Sequence, residues 1–323
     1  MDLTVAICTR ARPQLLAACL RSLLALRPED PGDPRHFDVL VVDNDSSDDA
    51  TARLVDTMPG VRYVKESRPG LDFARNRALA EARGEWIAYL DDDVTVDHGW
   101  LEGLEEAAAE HPDAACVTGL VLPFELTTAP QITFERRGGF GRGCRKLRFT
   151  GPAGPDNPLF PLGAGIFGAG CNMVLRANLV RALGGFDEAL DTGPPLPGGG
   201  DLDIWSRLAR AGHPLVYEPR LLVFHRHRPD HASLRRQYWS WGEGFMAYLL
   251  KTARVDPTQR RKAARLIAWW LRYQTRQVAA SLPSRDGPPV DLVLAELAGG
   301  LVGLGGSYGR SQRRVARIRA ANA

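Results

Sequence analysis

The sequence predicts an α/β protein in which a mostly parallel sheet is flanked by helices and followed by a basic, helical C-terminal region. In the first 120 residues, short apolar runs alternate with segments of helical spacing, a pattern typical of a parallel sheet covered on both faces. With 323 residues, 44% of them hydrophobic and 24% charged, the chain can form a full globular core. After about residue 232 the strand patterns stop and basic helical segments continue to the end.

The predicted strands are apolar runs bounded by polar or glycine residues. In chain order they cover residues 3–8, 37–42, 61–65, 85–90, 172–176, 215–218 and 221–225. Helical spacing covers residues 13–26, 46–57 with a cap at Ser46/Ser47, 71–83, 177–183 and 201–211. Ligands of such sheets bind at the carboxyl ends of the strands, so functional side chains are expected just after each strand.

Two segments lack regular periodicity. Residues 124–170 are rich in glycine, proline and arginine, and residues 192–200 are rich in proline and glycine. Long segments of this kind often form loops over an active site. The change in pattern near residue 232 places the boundary between an α/β domain, residues 1–231, and a helical region, residues 232–323.

Composition limits the class of protein. From Arg254 to the last residue, 13 lysines and arginines stand against four acidic residues, a net charge of +9, while the rest of the chain carries −6. Such a basic tail is suited to an anionic partner. The five cysteines are scattered and form no CxxC pair, which favours reduced thiols. The N-terminus has no signal-peptide pattern, and acidic residues interrupt the best apolar stretch, 290–305. A cytoplasmic protein is expected, either soluble or peripheral at the inner face of the membrane.

The strongest local signal is the triplet Asp91-Asp92-Asp93 directly after a buried strand. Three adjacent carboxylates repel one another unless a cation compensates their charge. Mg²⁺ and Mn²⁺ prefer oxygen ligands and are typically held by one or two carboxylates together with substrate phosphates. A solvated acidic turn is the alternative interpretation.

A second acidic cluster follows the second strand, from Asp43 to Asp48. A calcium loop is excluded because Asp48 stands where that motif needs glycine and Leu54 where it needs glutamate. Acidic and hydroxyl residues here also suit a helix start. Asp43, the first residue after the strand, is the better ligand candidate.

Phosphate-capable groups follow the first and third strands. The first strand leads into Thr9-Arg10-Ala11-Arg12-Pro13, and Arg75 and Asn76 lie shortly after the Gly70 turn. Arginines beside a helix start can pair with phosphates or stack on a base. Together with the acidic residues after strands two and four, these groups predict one polar site at the strand ends.

This ordered set of motifs resembles the inverting family 2 glycosyltransferases with a Rossmann-like GT-A fold, and the resemblance covers about residues 1 to 230. It rests on the segments 5–13, 41–48 and 70–76 and on the aspartate triplet. The resemblance implies nucleotide contacts from Thr9, Arg10, Arg12, Asp43, Asp45, Arg75, Asp91 and Asp92. It also implies Mn²⁺ or Mg²⁺ at an Asp91/Asp93 DxD pair, with Asp93 as the direct ligand.

The family's third signature is an acidic pair, usually Glu-Asp, that opens a helix after a glycine-rich loop. Here the pair reads Gly200-Asp201, so one acceptor-side carboxylate is missing. By the resemblance Asp201 is the general base, because inversion in one displacement needs a group that takes the acceptor hydroxyl's proton. The alternative for Asp201 is an N-terminal helix acid. Asp203 faces away by helical spacing and is expected to be structural.

The last predicted strand ends in Phe224-His225-Arg226-His227-Arg228. Strand alternation places both histidines on one face. Related enzymes use a late histidine at the metal, so His225 is the preferred ligand, and a hydrogen-bonded histidine pair is the alternative.

Aromatic residues between Tyr238 and Trp270 accompany basic residues in the C-terminal third. Contact with an anionic membrane surface is one interpretation. The favoured interpretation is packing onto the α/β domain or a homodimer surface. No motif supports nucleic-acid binding.

Taken together, the motifs predict transfer of a sugar from a nucleotide-diphosphate donor to an acceptor hydroxyl on a glycan, glycolipid or small molecule. A UDP-sugar is the favoured donor, with dTDP- and GDP-sugars as alternatives. A non-catalytic scaffold on the same fold remains a second hypothesis because of Gly200. A sugar nucleotidyltransferase ranks below both, since glycines are lacking after the first strand, and an NAD enzyme is disfavoured because GxGxxG is lacking there.

Overall fold

A computed structural model describes residues 1–28, 30, 32–33, 35–150, 159–190, 193, 196–281 and 289–322. Parts of both irregular segments, 124–170 and 192–200, lie outside the described residues. The strands are β1 Leu3–Thr9, β2 Asp38–Asn44, β3 Val61–Glu66, β4 Trp86–Asp91, β5 Val94–Val96, β6 Cys116–Pro123, β7 Leu147–Phe149, β8 Asn172–Arg176 and β9 Leu215–His225. The helices of the α/β part are α1 Pro13–Leu24, α2 Ala50–Asp56, α3 Leu71–Glu81, α4 Trp100–Glu110, α5 Ala129–Arg136, α6 Ala177–Ala182 and α7 Gly200–Arg210.

All of these strands belong to one mixed sheet. The order is β3-β2-β1-β4-β8-β6-β9-β5, with β7 paired to β9. Strands β3, β2, β1 and β4 are parallel, as the alternating pattern predicts. Strand β8 runs antiparallel to both β4 and β6, while β6 and β9 are parallel to each other. The sheet is therefore parallel in its first half and mixed in its second.

The strand side chains divide between two apolar layers, as expected for helices on both faces. Val5 and Ile7 of β1 belong to one buried cluster with residues of α1 and α4. Ala6 and Cys8 belong to a second cluster with residues of α3, α6 and α7. This alternation along a single strand confirms that the sheet lies in the middle of the domain.

Two predicted elements differ from the structure. The runs 215–218 and 221–225 form a single strand, β9, whose register against β6 shifts between Gly119 and Val121. Helix α2 begins at Ala50 and has no side-chain cap. Ser46 does not cap it, because its hydroxyl donates to Asp43 and accepts a hydrogen bond from the amide of Ala11.

Four helices follow the sheet: α8 His231–Val255, α9 Arg260–Ser281, α10 Val290–Val302 and α11 Tyr308–Ala321. Helices α8 and α10 pack with little space between them, since a side chain at Gly242 would collide with the Glu296 backbone. Met246, Tyr248 and Leu249 of α8 share a buried cluster with Phe73 of α3. The C-terminal region thus packs directly on the α/β part.

One described helical segment, Val290–Ala321, is long and apolar enough by length and composition to cross a membrane. In its apolar stretch of 18 residues, 39% is buried within the protein. This differs from the sequence expectation, which excluded a span because of the acidic residues in α10. The segment changes direction at Gly305 and Gly306, where φ is −77° and 92°.

Candidate active site

The parallel half of the sheet aligns the ends of its central strands. In the register, Thr9 lies opposite Asp43 on β2, and Cys8 lies opposite Asp91 on β4. The polar residues after strands one, two and four therefore lie side by side, as the sequence predicts. Their side chains have different surroundings.

Asp92 is the fully buried member of the triplet. Its Oδ2 accepts hydrogen bonds from Thr9 Oγ1 at 2.6 Å and Arg12 Nε at 3.0 Å, and its Oδ1 lies 2.5 Å from Arg12 Nη2. Burial raises the pKa of Asp92 to about 6, against the opposing effects of Arg12 and Thr9. Asp92 therefore connects the β4 turn to the loop after β1.

The loops after β1 and β2 are joined by a second set of contacts. Arg10 Nη2 lies 2.7 Å from Asp45 Oδ2 in an exposed ion pair. Ala11 and Asp45 both adopt positive φ, 52° and 53°, a conformation that costs free energy for residues with a side chain. Arg10 and Asp45 thus contact each other at the rim of the strand ends.

Asp43 is fully buried and hydrogen-bonded. Its Oδ2 accepts a hydrogen bond from the Tyr63 hydroxyl at 2.9 Å, and its Oδ1 accepts one from Ser46. Burial, followed by this contact with Asp43, raises the pKa of Tyr63 to about 12. Asp43 is held in one orientation beside Thr9.

Asp93 and His225 form the best donor pair for a metal ion. Asp93 Oδ1 is buried, has no hydrogen-bond partner among the described residues, and lies 3.4 Å from His225 Nε2. Two ligands at right angles around Mg²⁺ lie about 3 Å apart, so this spacing fits a divalent cation. Arg12 Nη1 and Arg228 Nη1 lie 3.2 and 3.8 Å from Asp93 Oδ2.

Asp91 is a third candidate donor. Ligand atoms of Asp91, Cys171 and His225 lie within 4.8 Å of one another. Burial and then the charge of Asp93 raise the pKa of Asp91 to about 7. Burial also raises the pKa of Cys171 far above its usual range, so this residue stays a thiol, a poor ligand for a hard cation. The carboxylate and imidazole donors therefore fit Mn²⁺ or Mg²⁺.

A chain of hydrogen bonds orients His225. His227 Nε2 lies 2.7 Å from Glu135 Oε1, and the Nδ1 atoms of the two histidines are 3.2 Å apart. Burial lowers the pKa of both rings, so each carries one N–H near neutral pH. If His227 donates to Glu135, its Nδ1 accepts from His225, and the lone pair on His225 Nε2 faces Asp93. The structure thus contains the hydrogen-bonded histidine pair, the alternative that the sequence offered, and it leaves His225 Nε2 3.4 Å from Asp93 Oδ1 as a candidate metal ligand.

A cavity of about 750 Å³ extends from these residues to the C-terminal helices. Asp91 and His225 line one part, and Asp201, Arg75 and Arg228 also line the wall. The other predicted nucleotide contacts lie outside its lining: Thr9, Arg10, Arg12, Asp43, Asp45 and Asp92. The candidate site therefore has two parts, the loops at the strand ends and the cavity.

Arg75 lies near Asp201. A side chain at Gly170 would lie 2.8 Å from Asp201 Oδ2 and 3.3 Å from Arg75 Nη2, so both groups border the same small space. Arg75 Nη1 donates to Asp72 Oδ1 at 3.0 Å. Asn76 does not line the cavity, because its amide is bonded to the backbone of Phe186. The expectation that Asn76 faces the ligand edge is wrong.

The structure explains the glycine at position 200. A Cβ at Gly200 would overlap the carboxylate of Asp72, which is fully buried. An acidic group thus lies close to the place where the family's glutamate would begin, but it comes from α3. Asp203 is buried and pairs with Arg207 at 2.7 Å and Lys251 at 2.5 Å, which confirms its structural role.

Sequence reasoning missed several residues of the site. Glu135 lies in α5, Arg142 follows it in an irregular segment, and Trp241 lies on α8. None follows a predicted strand. The available signals were the concentration of glycine and arginine between residues 138 and 145 and the aromatic residues between Tyr238 and Trp270, which include Trp241.

Comparison with known proteins identifies the family of the chain. The sequence model of the family described as Glycosyl transferase family 2 matches residues 4–177. The succinoglycan biosynthesis protein ExoM of Rhizobium meliloti is 30% identical over 239 residues, 72% of this chain and 70% of that protein. The pre-mycofactocin glycosyltransferase of Mycobacterium tuberculosis is 28% identical over 243 residues, 66% of this chain and 48% of that protein.

Among solved structures, the mannosyltransferase PcManGT from Pyrobaculum calidifontis, in complex with GDP-Man and Mn²⁺, has a TM-score of 0.54. The match covers 98% of this chain and 75% of that one at 16% identity, so it concerns the fold. The family model matches more than half of this chain. The chain therefore belongs to glycosyl transferase family 2 and is a glycosyltransferase with a GT-A-like fold.

Proposed function

We propose that the protein transfers a sugar, with inversion and in a metal-dependent reaction, from a nucleotide-diphosphate donor to an acceptor hydroxyl. The observation that carries this proposal is the shared cavity, which Asp91, His225 and Asp201 all line. The proposed metal ligands and the proposed general base can therefore act on the same donor and acceptor.

The loops at the strand ends are the proposed nucleoside site. Thr9, Asp43 and Arg12 lie beside the metal donors without lining the cavity. The presence of GDP-Man in the structurally similar mannosyltransferase supports a nucleotide-diphosphate sugar, with UDP favoured and dTDP or GDP as alternatives.

Asp91, Asp93 and His225 would hold Mn²⁺ or Mg²⁺. A bound divalent cation neutralises the charge that develops on the departing diphosphate. Arg12 and Arg228 lie beside Asp93 and can contact the same phosphates. The hydrogen bonds from Glu135 through His227 keep the His225 ring in one orientation.

Asp201 is the proposed general base. It opens α7 on the cavity wall, where it can take a proton from an acceptor hydroxyl as that oxygen attacks the anomeric carbon. The leaving diphosphate then departs toward Asp93 and His225. Asp72 holds Arg75 beside this base through a buried ion pair.

The C-terminal helices, residues 232–323, complete the acceptor side and approach a membrane surface in this proposal. Trp241 and Phe245 of α8 line the cavity. Trp269, Leu294 and Leu301 are exposed, and the sequence from Arg254 to the last residue carries a net charge of +9, which supports peripheral contact with anionic lipid. Acceptors on glycans or glycolipids fit this arrangement.

The test is a thermal-shift panel of UDP, GDP, dTDP and CMP, each with and without Mn²⁺ or Mg²⁺. A ligand at about 100 times its dissociation constant adds about 2.7 kcal/mol of stability. We expect one diphosphate to raise Tm only with metal. The absence of any metal-dependent shift would argue against the proposed donor site and favour the scaffold hypothesis.

A further inference from the structure

Arg142 lies on the cavity wall and has no part in the proposed transfer. Its Nε donates to the carbonyl of Gly165 at 2.8 Å, and its Nη1 donates to the carbonyls of Phe140 and Gly141 at 3.2 and 3.0 Å. These bonds fix the plane of the guanidinium. Its Nη2 has no hydrogen-bond partner in the part of the chain that the structure describes.

The charge of Arg142 has no anionic partner among the residues that the structure describes. No carboxylate of the described ranges lies within ion-pair distance of it, and burial lowers its pKa. Arg75, on the same wall, is paired with Asp72 at 3.0 Å. A partly desolvated cation without an anionic partner costs free energy, and an anionic ligand offsets that cost.

Arg142 and Asp201 line the same cavity. Among carboxylates, the charge that acts on Arg142 is that of Asp201, while Tyr217 and Cys171 are its other titratable neighbours. The charged neighbours of His225 are Asp93, Arg228 and Arg12. The carbonyl of Gly165 accepts a hydrogen bond from Arg142 Nε, and a Cβ at Gly165 would lie 3.9 Å from Leu202 Cδ2, so Arg142 borders the residues next to Asp201, where the sugar and the acceptor are proposed to meet.

We propose that Arg142 binds an acidic group, a carboxylate or a phosphate, carried by the transferred sugar or by the acceptor near its reacting hydroxyl. This inference rests on the proposed function, since it uses Asp201 to locate the acceptor side. The loop carbonyls already orient the guanidinium, so a charge-assisted hydrogen bond from Nη2 forms with little loss of side-chain entropy.

The test compares matched acidic and neutral probes on the full chain with Mn²⁺. On the donor side, the UDP-glucuronate and UDP-glucose affinities are compared. On the acceptor side, glucose 1-phosphate is compared with glucose after saturation with UDP. Dissociation constants come from ligand-observed NMR for the wild type, Arg142→Gln, Arg142→Lys and the control Arg145→Gln, whose side chain is exposed in the same loop.

In at least one pair we expect the acidic probe to bind about 10- to 100-fold more tightly than the neutral one. Arg142→Gln should abolish that preference, Arg142→Lys should retain part of it, and Arg145→Gln should leave it unchanged. The pair that shows the preference identifies the source of the acidic group.

Equal affinity within both pairs for the wild type overturns the proposal, and this outcome does not depend on any variant folding. A preference that persists in Arg142→Gln, or an equal loss of acidic and neutral binding, also overturns it. The metal-dependent shift with UDP is recorded first in every variant. Failure of the proposed function would remove that shift, whereas failure of this inference would leave it intact.

Discussion

The three consecutive aspartates after β4 have different surroundings. Asp91 borders the cavity, Asp92 is buried against Thr9 and Arg12, and Asp93 lies beside His225. The turn after the strand points each carboxylate in its own direction. At the scale of single residues, substitutions can therefore separate the proposed roles in metal binding, in structure and as the general base.

We expect Asp201→Asn to leave metal-dependent nucleotide binding unchanged and to lower turnover by about 10²- to 10⁴-fold, because an amide cannot take the acceptor's proton. Sugar transfer and the thermal shift with nucleotide are measured on the same preparation. Wild-type turnover in this variant would exclude Asp201 as the base.

The raised pKa of Asp91 predicts a pH dependence of stability. Its ordinary pKa is 3.8 and its folded pKa is about 7, so between these values the native state binds a proton that the unfolded state releases. The free energy of unfolding of the metal-free protein should therefore fall as pH rises from about 4 to 7.

The measurement is the urea concentration at the midpoint of unfolding, at pH 5 and at pH 8, for the wild type and Asp91→Asn. EDTA keeps both proteins free of metal. The fall in the midpoint should be smaller in Asp91→Asn. An identical fall in both proteins would show that another group is responsible.

At the scale of elements, the beginning of α7 is packed against α3. Gly200 leaves room for the carboxylate of Asp72, which pairs with Arg75 on the cavity wall. The sequence motif of α7 therefore depends on a residue more than 120 positions earlier in the chain. The carboxylate of Asp72 occupies the space that a side chain at position 200 would fill.

We expect Gly200→Ala to lower the free energy of unfolding by about 1–3 kcal/mol, since the new methyl group displaces a buried carboxylate from its partner. Urea denaturation measures the change. Gly309→Ala is the matched control, because its Cβ would meet only Arg313 Nη1 at 3.9 Å within a helix. Equal effects of the two substitutions would contradict the packing argument.

At the scale of the whole molecule, the cavity is built from both parts of the chain. Strand ends and α7 form one side, and Ser240, Trp241 and Phe245 of α8 line the other. Lys251 of α8 also pairs with Asp203 of α7. The boundary near residue 232 thus separates an α/β part from a purely helical part, and the two parts share one buried cluster.

We expect residues 1–231 alone to lose cooperative thermal unfolding and nucleotide binding, because removal of α8 exposes Phe73, Leu190 and Leu196 from the shared cluster. Calorimetry of the truncated and full chains tests this. Cooperative unfolding of the truncated chain, with a metal-dependent nucleotide shift, would show that the α/β part is independent.

The sequence by itself determined the parallel strands, their connecting helices and the polar residues at the strand ends. Continuous apolar runs and the residues that follow them are local properties, and parallel strands necessarily bring their carboxyl ends to one edge. The ordered motifs therefore sufficed to predict the family and the neighbourhood of Thr9, Asp43 and the aspartate triplet.

Tertiary structure alone decided the antiparallel insertion of β8, the position of Asp72 beside Gly200, and the presence of Arg142 and Asp201 in the lining of one cavity. Each depends on segments far apart in the chain, whose contacts are set by side-chain packing and by the requirement that buried charges find partners. Local spacing contains no information on such contacts, because the same residues in another packing would have other neighbours.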